Sequence, residues 1–354
     1  MGLGVELPHR SGAVEQGDER GVWPCEDFIC GVHARGGRSV PRRCVRTEQY
    51  RTDNYADAVF PSSLSPSRSA DFQQCPLLYR FKTIDQLPEK PSIAAVRGTL
   101  VHTVLEKIFD APAGQRTYDL ALSLFKDALE SLGEAKPQEA ALVREHAQST
   151  GNQELVEAAL EPIKPIMETY FAMEDPNRLE PYARELAMSV ELDDGFAIRG
   201  FIDRVDRNPS GDIRIVDYKS GKSPSPRFAD KAMFQMRFYG LAWWRINGEL
   251  PRMLQLMYLG NGQMLKYEPS ESDLLSTERK ILALRSAITK SAERESFTPT
   301  PSKLCGWCSF KLLCPEFGGT PPPLPDRATW TSGSSLVQDS LKTASTLVIN
   351  QHPE

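Results

Sequence analysis

The sequence predicts a mixed α/β domain of the α+β kind, with an antiparallel-mixed central sheet flanked by helices. Two changes of pattern along the chain support this prediction. Between residues 98 and 173 apolar residues recur at helical spacing, which is typical of amphipathic helices. Between residues 184 and 219 they alternate with polar residues over three segments, which is typical of half-buried strands. Helical spacing then returns, so helices and sheet should share one core.

The first predicted helices precede the strands. Ser65 can cap a short helix with Pro66 at its first position, where the missing N–H of proline costs nothing. A second helix is predicted over Gly98–Phe109, whose apolar residues fall on one face. Two or more acidic helices follow between Tyr118 and Met173, and prolines near the end of that stretch should break them.

Three strands joined by short turns are predicted next, as an antiparallel meander. The strands are Arg184–Leu192, Phe196–Arg207 and Ile213–Lys219. A helix, a hairpin and a long last helix follow, over about Arg227–Ile246, Leu254–Tyr267 and Glu271–Glu293.

The folded domain is predicted to span residues 61–317, with a helical insertion at residues 110–180. Residues 1–60 are rich in Gly, Arg and Ser without a helical or strand period, which predicts a disordered extension. Residues 318–354 open with Gly-Gly-Thr-Pro-Pro-Pro-Leu-Pro and then turn polar, which predicts a disordered tail.

The composition is that of a globular chain, with 40% hydrophobic and 25% charged residues. The sequence shows no apolar run of membrane-spanning length and no apolar leader core, so we expect a cytoplasmic protein with no membrane partner. The net charge of −5 does not suggest a nucleic-acid partner, but residues 199–237 contain nine basic and five acidic residues. That zone can meet phosphate, or it can be an ordinary solvated face.

Two carboxylates and a lysine suggest hydrolytic chemistry. On the third strand, Asp217 and Lys219 point to the same face, about 7 Å apart along the strand. Asp203 lies on the neighbouring strand. Such carboxylates suit a hard divalent cation, and a lysine beside it can stabilise a phosphate or orient an attacking water. The alternative is an exposed Asp–Lys ion pair, worth about 0–1 kcal/mol.

Four segments resemble the RecB-family branch of the PD-(D/E)XK nucleases, which have a restriction-endonuclease-like core. Gly200–Asp206 matches the family strand G-x-[IV]-D-R-[IV]-D, and Val216–Gly221 matches [IV]-D-[YL]-K-[ST]-G. Upstream, Gly98–His102 has the G-x-x-x-H setting of the family on a helix. Downstream, Gln235–Tyr239 matches its glutamine and tyrosine helix.

The resemblance implies a site of seven residues. The ligands of Mg²⁺ or Mn²⁺ would be His102, Asp203, Asp217 and the main-chain carbonyl of Tyr218. The catalytic set would be Asp203, Asp217, Lys219, Gln235 and Tyr239, the last two supporting the site or the DNA strand.

Three acidic or histidine assignments have alternatives. Without the resemblance, His102 among apolar helix neighbours would be a core or surface histidine. Glu106 lies one helical turn later and can assist the site or face solvent. Glu185 in the first strand can support the metal ligands without binding the cation itself, since the family often has a glutamate there.

Four of the seven cysteines are spaced as a metal site: Cys75, Cys305, Cys308 and Cys314. This layout resembles the 4Fe-4S clasp of AddB-type and some CRISPR-associated family members. A structural 4Fe-4S cluster is the favoured cofactor, with zinc as the alternative and unligated thiols as the third possibility. The remaining thiols, Cys25, Cys30 and Cys44, are expected to be unligated.

The expected function is a metal-dependent DNA nuclease, exonuclease-like, in DNA repair or recombination. The expected partners are single-stranded DNA or duplex ends, and a separate helicase. The alternative is a non-catalytic iron–sulfur or zinc protein that binds DNA or serves as a scaffold.

Overall fold

The computed structural model describes residues 60–149, 159–192 and 196–330. The predicted extension therefore lies outside the described residues except for Phe60, and so does the predicted turn at 193–195. None of the described helices is both long and apolar enough to cross a bilayer.

The predicted helices and strands occur in the predicted order. The α-helices of the described residues are α1 Pro66–Gln74, α2 Pro76–Tyr79, α3 Ile93–Lys107, α4 Tyr118–Ala135, α5 Pro137–Ser149, α6 Lys164–Met173, α7 Ala229–Asn247 and α8 Glu271–Glu293. Their strands are β1 Ser63–Leu64, β2 Pro181–Glu191, β3 Ala197–Arg207, β4 Ile213–Lys219, β5 Met253–Tyr258 and β6 Gln263–Tyr267.

Local capping explains where the first helices begin. Ser65 accepts a hydrogen bond from the Arg68 amide at 3.3 Å and Pro66 opens α1, as predicted. Helix α3 begins earlier than predicted, because the Ser92 hydroxyl caps it by accepting from Ala95 N at 3.2 Å. Gly98 therefore lies inside the helix rather than at its start.

The described strands form one mixed sheet in the order β1-β3-β4-β5-β6, with β2 paired to β3. Strands β4 and β5 are parallel, whereas β2–β3, β3–β4 and β5–β6 are antiparallel. The predicted meander and hairpin are confirmed, as is the mixed α/β architecture flanked by helices.

Strand β3 has a gap along one edge. Ala197 has partners in both β1 and β2, and Arg204 has partners in both β2 and β4. Strands β1 and β4 therefore share the edge opposite β2. Between them, residues 199–203 have no ladder partner on that edge among the described strands.

Alternating side chains divide the core into two layers. From β4, Ile213 and Ile215 pack into the layer that includes α1, α2, α7 and α8. Val216 and Tyr218 pack into the opposite layer with α3, α4, α5 and α6. The end of β4 is therefore fixed from both sides.

The first part of the predicted tail packs against the domain. The Arg80 guanidinium donates to Pro322 O at 2.5 Å, and Arg327 donates to Ala292 O at 2.8 Å. The Trp330 ring contacts Phe60 with centroids 5.4 Å apart. The folded part therefore continues beyond Phe317, because two arginines bind main-chain carbonyls that composition alone does not reveal.

Candidate active site at the open edge of the sheet

Asp217 and Lys219 lie side by side at the end of β4. The Lys219 ammonium is 2.7 Å from Asp217 Oδ2, and the Asp217 side chain is only 2% exposed. The lysine side chain is 34% exposed, so its ammonium can meet both the buried carboxylate and a ligand in the cleft. This is the pairing that alternation along the strand predicts.

Helix α7 supplies two polar side chains one turn apart, Gln235 and Tyr239. The Gln235 amide accepts from Lys219 Nζ at 2.9 Å and donates to Asp217 Oδ1 at 2.8 Å. It also donates to the Tyr239 hydroxyl at 3.1 Å. Gln235 therefore fixes the relative positions of the acid and the amine.

His102, Glu185 and Asp203 form a second cluster. They are the one group of three or more His, Cys, Asp or Glu residues among the described residues whose ligand atoms all lie within 4.8 Å of one another. His102 Nδ1 is 3.4 Å from Asp203 Oδ2, which also accepts from the main-chain N–H of Tyr218 at 2.7 Å. Extending the β3–β4 register by one step puts Asp203 opposite Asp217. The two clusters are thus contiguous.

Glu185 lies opposite Asp203 in the antiparallel register of β2 and β3, which is continuous from the pair Arg184–Arg204 to the pair Leu186–Ile202. Its φ of +41° is rare for a non-glycine residue. The sequence predicts that Glu185 supports the metal ligands without being one of them, but its carboxylate lies among the candidate ligand atoms. Glu106 is near enough for its charge to raise the pKa of Glu185, but it is not in the cluster.

Two carboxylates of the site, those of Asp217 and Glu185, hold protons more tightly than ordinary ones. Burial raises the pKa of Asp217 to about 6; repulsion from Asp203 adds to this and Lys219 opposes it. Burial and repulsion from Asp203 raise the pKa of Glu185 to about 7. Burial opposes the charged form of His102, but its hydrogen bond to Asp203 and the nearby carboxylates raise its pKa overall. A divalent cation would relieve this repulsion.

Arg204, the arginine of the G-x-[IV]-D-R-[IV]-D motif, supports the site from a buried position that the motif alone does not predict. Its side chain is 1% exposed and contacts Glu174 at 2.5 Å and Asp206 at 3.0 Å. It also donates to the Tyr218 hydroxyl. Because Tyr218 separates Asp217 from Lys219, this network holds the backbone that presents both site residues.

Gly200 of the same motif allows the close approach of α7. A Cβ at this position would lie 2.7 Å from Cε1 of Tyr239, closer than side chains pack. The absence of a side chain at Gly200 thus sets where the Tyr239 ring lies.

One cavity of 1470 Å³ joins these groups. Of the predicted side chains, it is lined by His102, Asp203, Asp217, Lys219, Gln235 and Tyr239. The cavity is also lined by residues of the unpaired stretch of β3, and a ligand in it would contact both the carboxylates and Lys219.

The four cysteines of the spaced set border one smaller pocket, which residues of α1 and α2 also line. Cys75 lies at the junction of α1 and α2, and the other three lie in the short turns of residues 303–317. Burial raises the pKa of Cys308, and the other three sulfurs act in the same direction. No three of these four thiols lie within 4.8 Å of one another.

Comparison with known proteins identifies the family. Residues 63–315 match the PD-(D/E)XK nuclease superfamily. The chain is 24% identical over 268 residues to the Gene 69 protein of Mycobacterium phage D29, covering 72% of this chain and 96% of that protein. It is 30% identical over 138 residues to the Gene 69 protein of Mycobacterium phage L5, covering 38% of this chain and 45% of that protein.

Among solved structures, a candidate exonuclease of Eubacterium rectale is 16% identical, with a TM-score of 0.44 over 74% of this chain and 92% of that one. The match over residues 63–315 covers both strands of the site, the helix of His102 and the helix of Gln235. The chain belongs to the PD-(D/E)XK nuclease superfamily.

Proposed function

We propose that this chain is a divalent-cation-dependent nuclease that hydrolyses phosphodiester bonds of DNA. The observation that carries the proposal is the contact of buried Asp217 with Lys219, next to the cluster of His102, Glu185 and Asp203. A merely structural ion pair would not need a third and a fourth ionisable group with raised pKa values beside it.

The donor set fits Mg²⁺ or Mn²⁺. Carboxylate and carbonyl oxygens are the ligands that these cations prefer, and one imidazole is compatible with Mn²⁺. The candidate ligands are His102, Glu185, Asp203, Asp217 and the main-chain carbonyl of Tyr218. When bound, the cation would neutralise charge on the scissile phosphate and lower the pKa of a water.

Lys219 has the position of a group that acts on the phosphate. Its ammonium is held by Asp217 and Gln235 and is partly exposed to the cavity. From there it can donate a hydrogen bond to a phosphate oxygen, or orient the attacking water, without moving its backbone. Gln235 is a positioning residue, because it holds Lys219 through its oxygen and Asp217 through its nitrogen.

The assignment to one branch of the superfamily, and to one kind of DNA cleavage, rests on the sequence motifs. The order of the four segments supports the RecB branch, exonuclease action on single strands or duplex ends, and work beside a helicase in repair or recombination. The size of the cavity, 1470 Å³, accommodates more than a single nucleotide, which agrees with a polymeric substrate.

We also propose a structural 4Fe-4S cluster at the four cysteines. Thiolates around a single zinc ion lie about 4 Å apart, given a Zn–S distance of about 2.3 Å. All four thiols border one pocket, but no three of them lie within 4.8 Å of one another. We prefer a 4Fe-4S cluster to zinc because the cysteine spacing resembles that of the family clasp. Such a cluster would join the α1–α2 junction to residues 303–317.

The test is degradation of single-stranded DNA labelled at either end, with Mg²⁺, Mn²⁺ or EDTA. Activity should require the cation and should be lost in Asp217→Asn and in Lys219→Ala. Arg252→Ala, at an exposed ion pair with Glu268, is the matched control. Cation-dependent DNA binding without any cleavage by the unmodified protein would instead favour a non-catalytic DNA-binding protein.

A further inference from the structure

The cavity extends along β3 away from the carboxylates. Alternation places Arg199, Phe201 and Asp203 on one face of this strand and Ile202 on the other, where it is fully buried. Arg199, Phe201 and Asp203 all line the cavity. At about 3.3 Å per residue, Arg199 lies about 13 Å from Asp203 along the strand.

A second guanidinium lies at the same end. Arg68 of α1 lines the cavity there, and burial lowers its pKa; the positive charge of nearby Arg199 acts in the same direction, whereas Tyr79 and Asp71 oppose it. Two neighbouring cations that are partly removed from water repel each other and gain from a shared anion. The pair therefore has the electrostatics of an anion site.

Arg199 is available for such an anion. Its Nε is buried and has no hydrogen-bond acceptor among the described residues, and no described carboxylate forms an ion pair with it. By contrast, Lys82 in the same cavity contacts Asp71 and Glu89, each at 3.0 Å. Arg199 is thus not used to hold the fold together in the way that Lys82 is.

Phe201 lies between the arginine and the carboxylate. It is 37% exposed, which is high for a phenylalanine on a central strand. Aromatic side chains in a basic groove stack with the bases of single-stranded nucleic acids, since every base has a π face. Along β3, a cation, an aromatic ring and a carboxylate therefore follow one another. The cation can bind a phosphate of a nucleic-acid strand, and the ring can stack with one of its bases.

We propose that Arg68 and Arg199 bind a backbone phosphate of single-stranded DNA on one side of the scissile bond, with a base stacked on Phe201. This subsite rests on the proposed nuclease function, which places the scissile phosphate at Asp203 and Asp217. A span of about 13 Å corresponds to about four nucleotides stacked at about 3.4 Å each, and to fewer in an extended strand. The substrate must therefore continue several nucleotides past the cleavage point.

The test compares Arg199→Gln with Arg207→Gln, a control on the same strand that lies outside the cavity and stacks over Tyr182. Binding of fluorescent single-stranded oligonucleotides is followed by anisotropy in EDTA, so that cleavage is not the readout. We expect Arg199→Gln to weaken binding of a strand of about twelve nucleotides roughly tenfold, and to reduce its salt dependence by about one unit of log–log slope. Binding of a dinucleotide should not change.

Two companion variants separate charge from stacking. Arg199→Lys should keep the salt slope, and Phe201→Leu should weaken the long strand without changing the slope. Equal losses in Arg199→Gln and Arg207→Gln, or a loss independent of strand length, would overturn the subsite. Cleavage with Mg²⁺ is measured separately. If the unmodified protein cleaves DNA but Arg199→Gln binds the long strand normally, only the subsite is refuted. If Arg199→Gln weakens binding but the unmodified protein never cleaves, only the nuclease function is refuted.

Discussion

Glu185 lies in the cluster with His102 and Asp203, and its backbone has a left-handed φ of +41° within β2. A left-handed φ in mid-strand costs free energy and is kept where the surrounding structure imposes it, often at functional sites. Alternation in sequence predicted the shared face of Asp217 and Lys219, because β4 is regular. The same rule could not place Glu185 among the ligands, because alternation along one strand does not give the register of β2 against β3, which puts Glu185 opposite Asp203.

The raised pKa values predict a link between pH and cation binding. Without a cation, Glu185 has a folded-state pKa of about 7 against an ordinary 4.5, so the stability it contributes at low pH is lost as pH rises through about 7. Asp217, with a pKa of about 6, acts in the same direction. Added Mg²⁺ should therefore raise the Tm more at about pH 8 than at about pH 5.5.

Differential scanning fluorimetry at both pH values checks this prediction. Glu185→Gln removes one titrating ligand and should make the two Mg²⁺-induced increments more alike. Equal increments in the unmodified protein at both pH values would contradict the raised pKa values as the cause.

Gly200 lets α7 approach β3 closely, and the effect of a side chain at this position can be predicted. Gly200→Ala should displace the Tyr239 ring and, through it, Gln235 and Lys219, because the new Cβ would lie 2.7 Å from that ring. Since small misplacements of catalytic groups are costly, we expect kcat to fall about tenfold to a hundredfold. Gly133→Ala, where no atom lies within 4 Å of the new Cβ, is the control and should leave kcat unchanged. Steady-state cleavage of labelled single-stranded DNA gives the comparison.

At the scale of elements, the site depends on how β3, β4 and α7 meet. The sequence predicted these elements and nearly their bounds, since each has a regular period. It did not predict the gap along β3, because the pairing of β1 beside β3 and of β5 beside β4 joins segments distant in sequence. Residues of that unpaired stretch line the cavity, so local patterns could not predict how far the cavity extends along β3 either.

The Arg204 network should determine whether β3 and β4 stay in register. Arg204→Leu leaves Glu174 without its buried partner and leaves Asp206 paired with Arg214 alone, and we expect a loss of about 3–5 kcal/mol in the free energy of unfolding. Arg252→Leu breaks a pair whose side chains are 63% and 57% exposed, and it should cost less than about 1 kcal/mol. Urea denaturation followed by circular dichroism measures both. Similar losses in the two variants would show that Arg204 is not the support we infer.

At the scale of the whole molecule, the two ends of the described domain meet. Phe60 contacts Trp330, and Thr289 donates to Phe60 O at 2.9 Å. Cys75 likewise lies close to the C-terminal segment, accepting a hydrogen bond from Thr300 N at 3.4 Å. The spacing of the cysteines indicates that remote segments come together. Composition, however, places the C-terminal domain boundary too early, because a proline-rich segment can be either a free tail or a segment packed against the domain.

The proposed cluster predicts a coloured protein. Anaerobically purified protein should contain iron and acid-labile sulfide and absorb visible light, and Cys305→Ser should lose all three and melt at a lower temperature. Cys44→Ser, outside the spaced set, is the control and should keep the colour. A colourless, zinc-containing protein of unchanged stability would contradict the cluster and return the site to its zinc alternative.

The central claim is that Asp217 and Lys219 act together on a phosphodiester beside a divalent cation. The most direct measurement is the rate of Mg²⁺-dependent cleavage of labelled single-stranded DNA by Lys219→Ala, with binding of the same strand measured in parallel. We predict a fall in rate of at least about a hundredfold with binding changed little, because Lys219 would act mainly on charge that develops during reaction. Cleavage at the unmodified rate by Lys219→Ala would contradict the account.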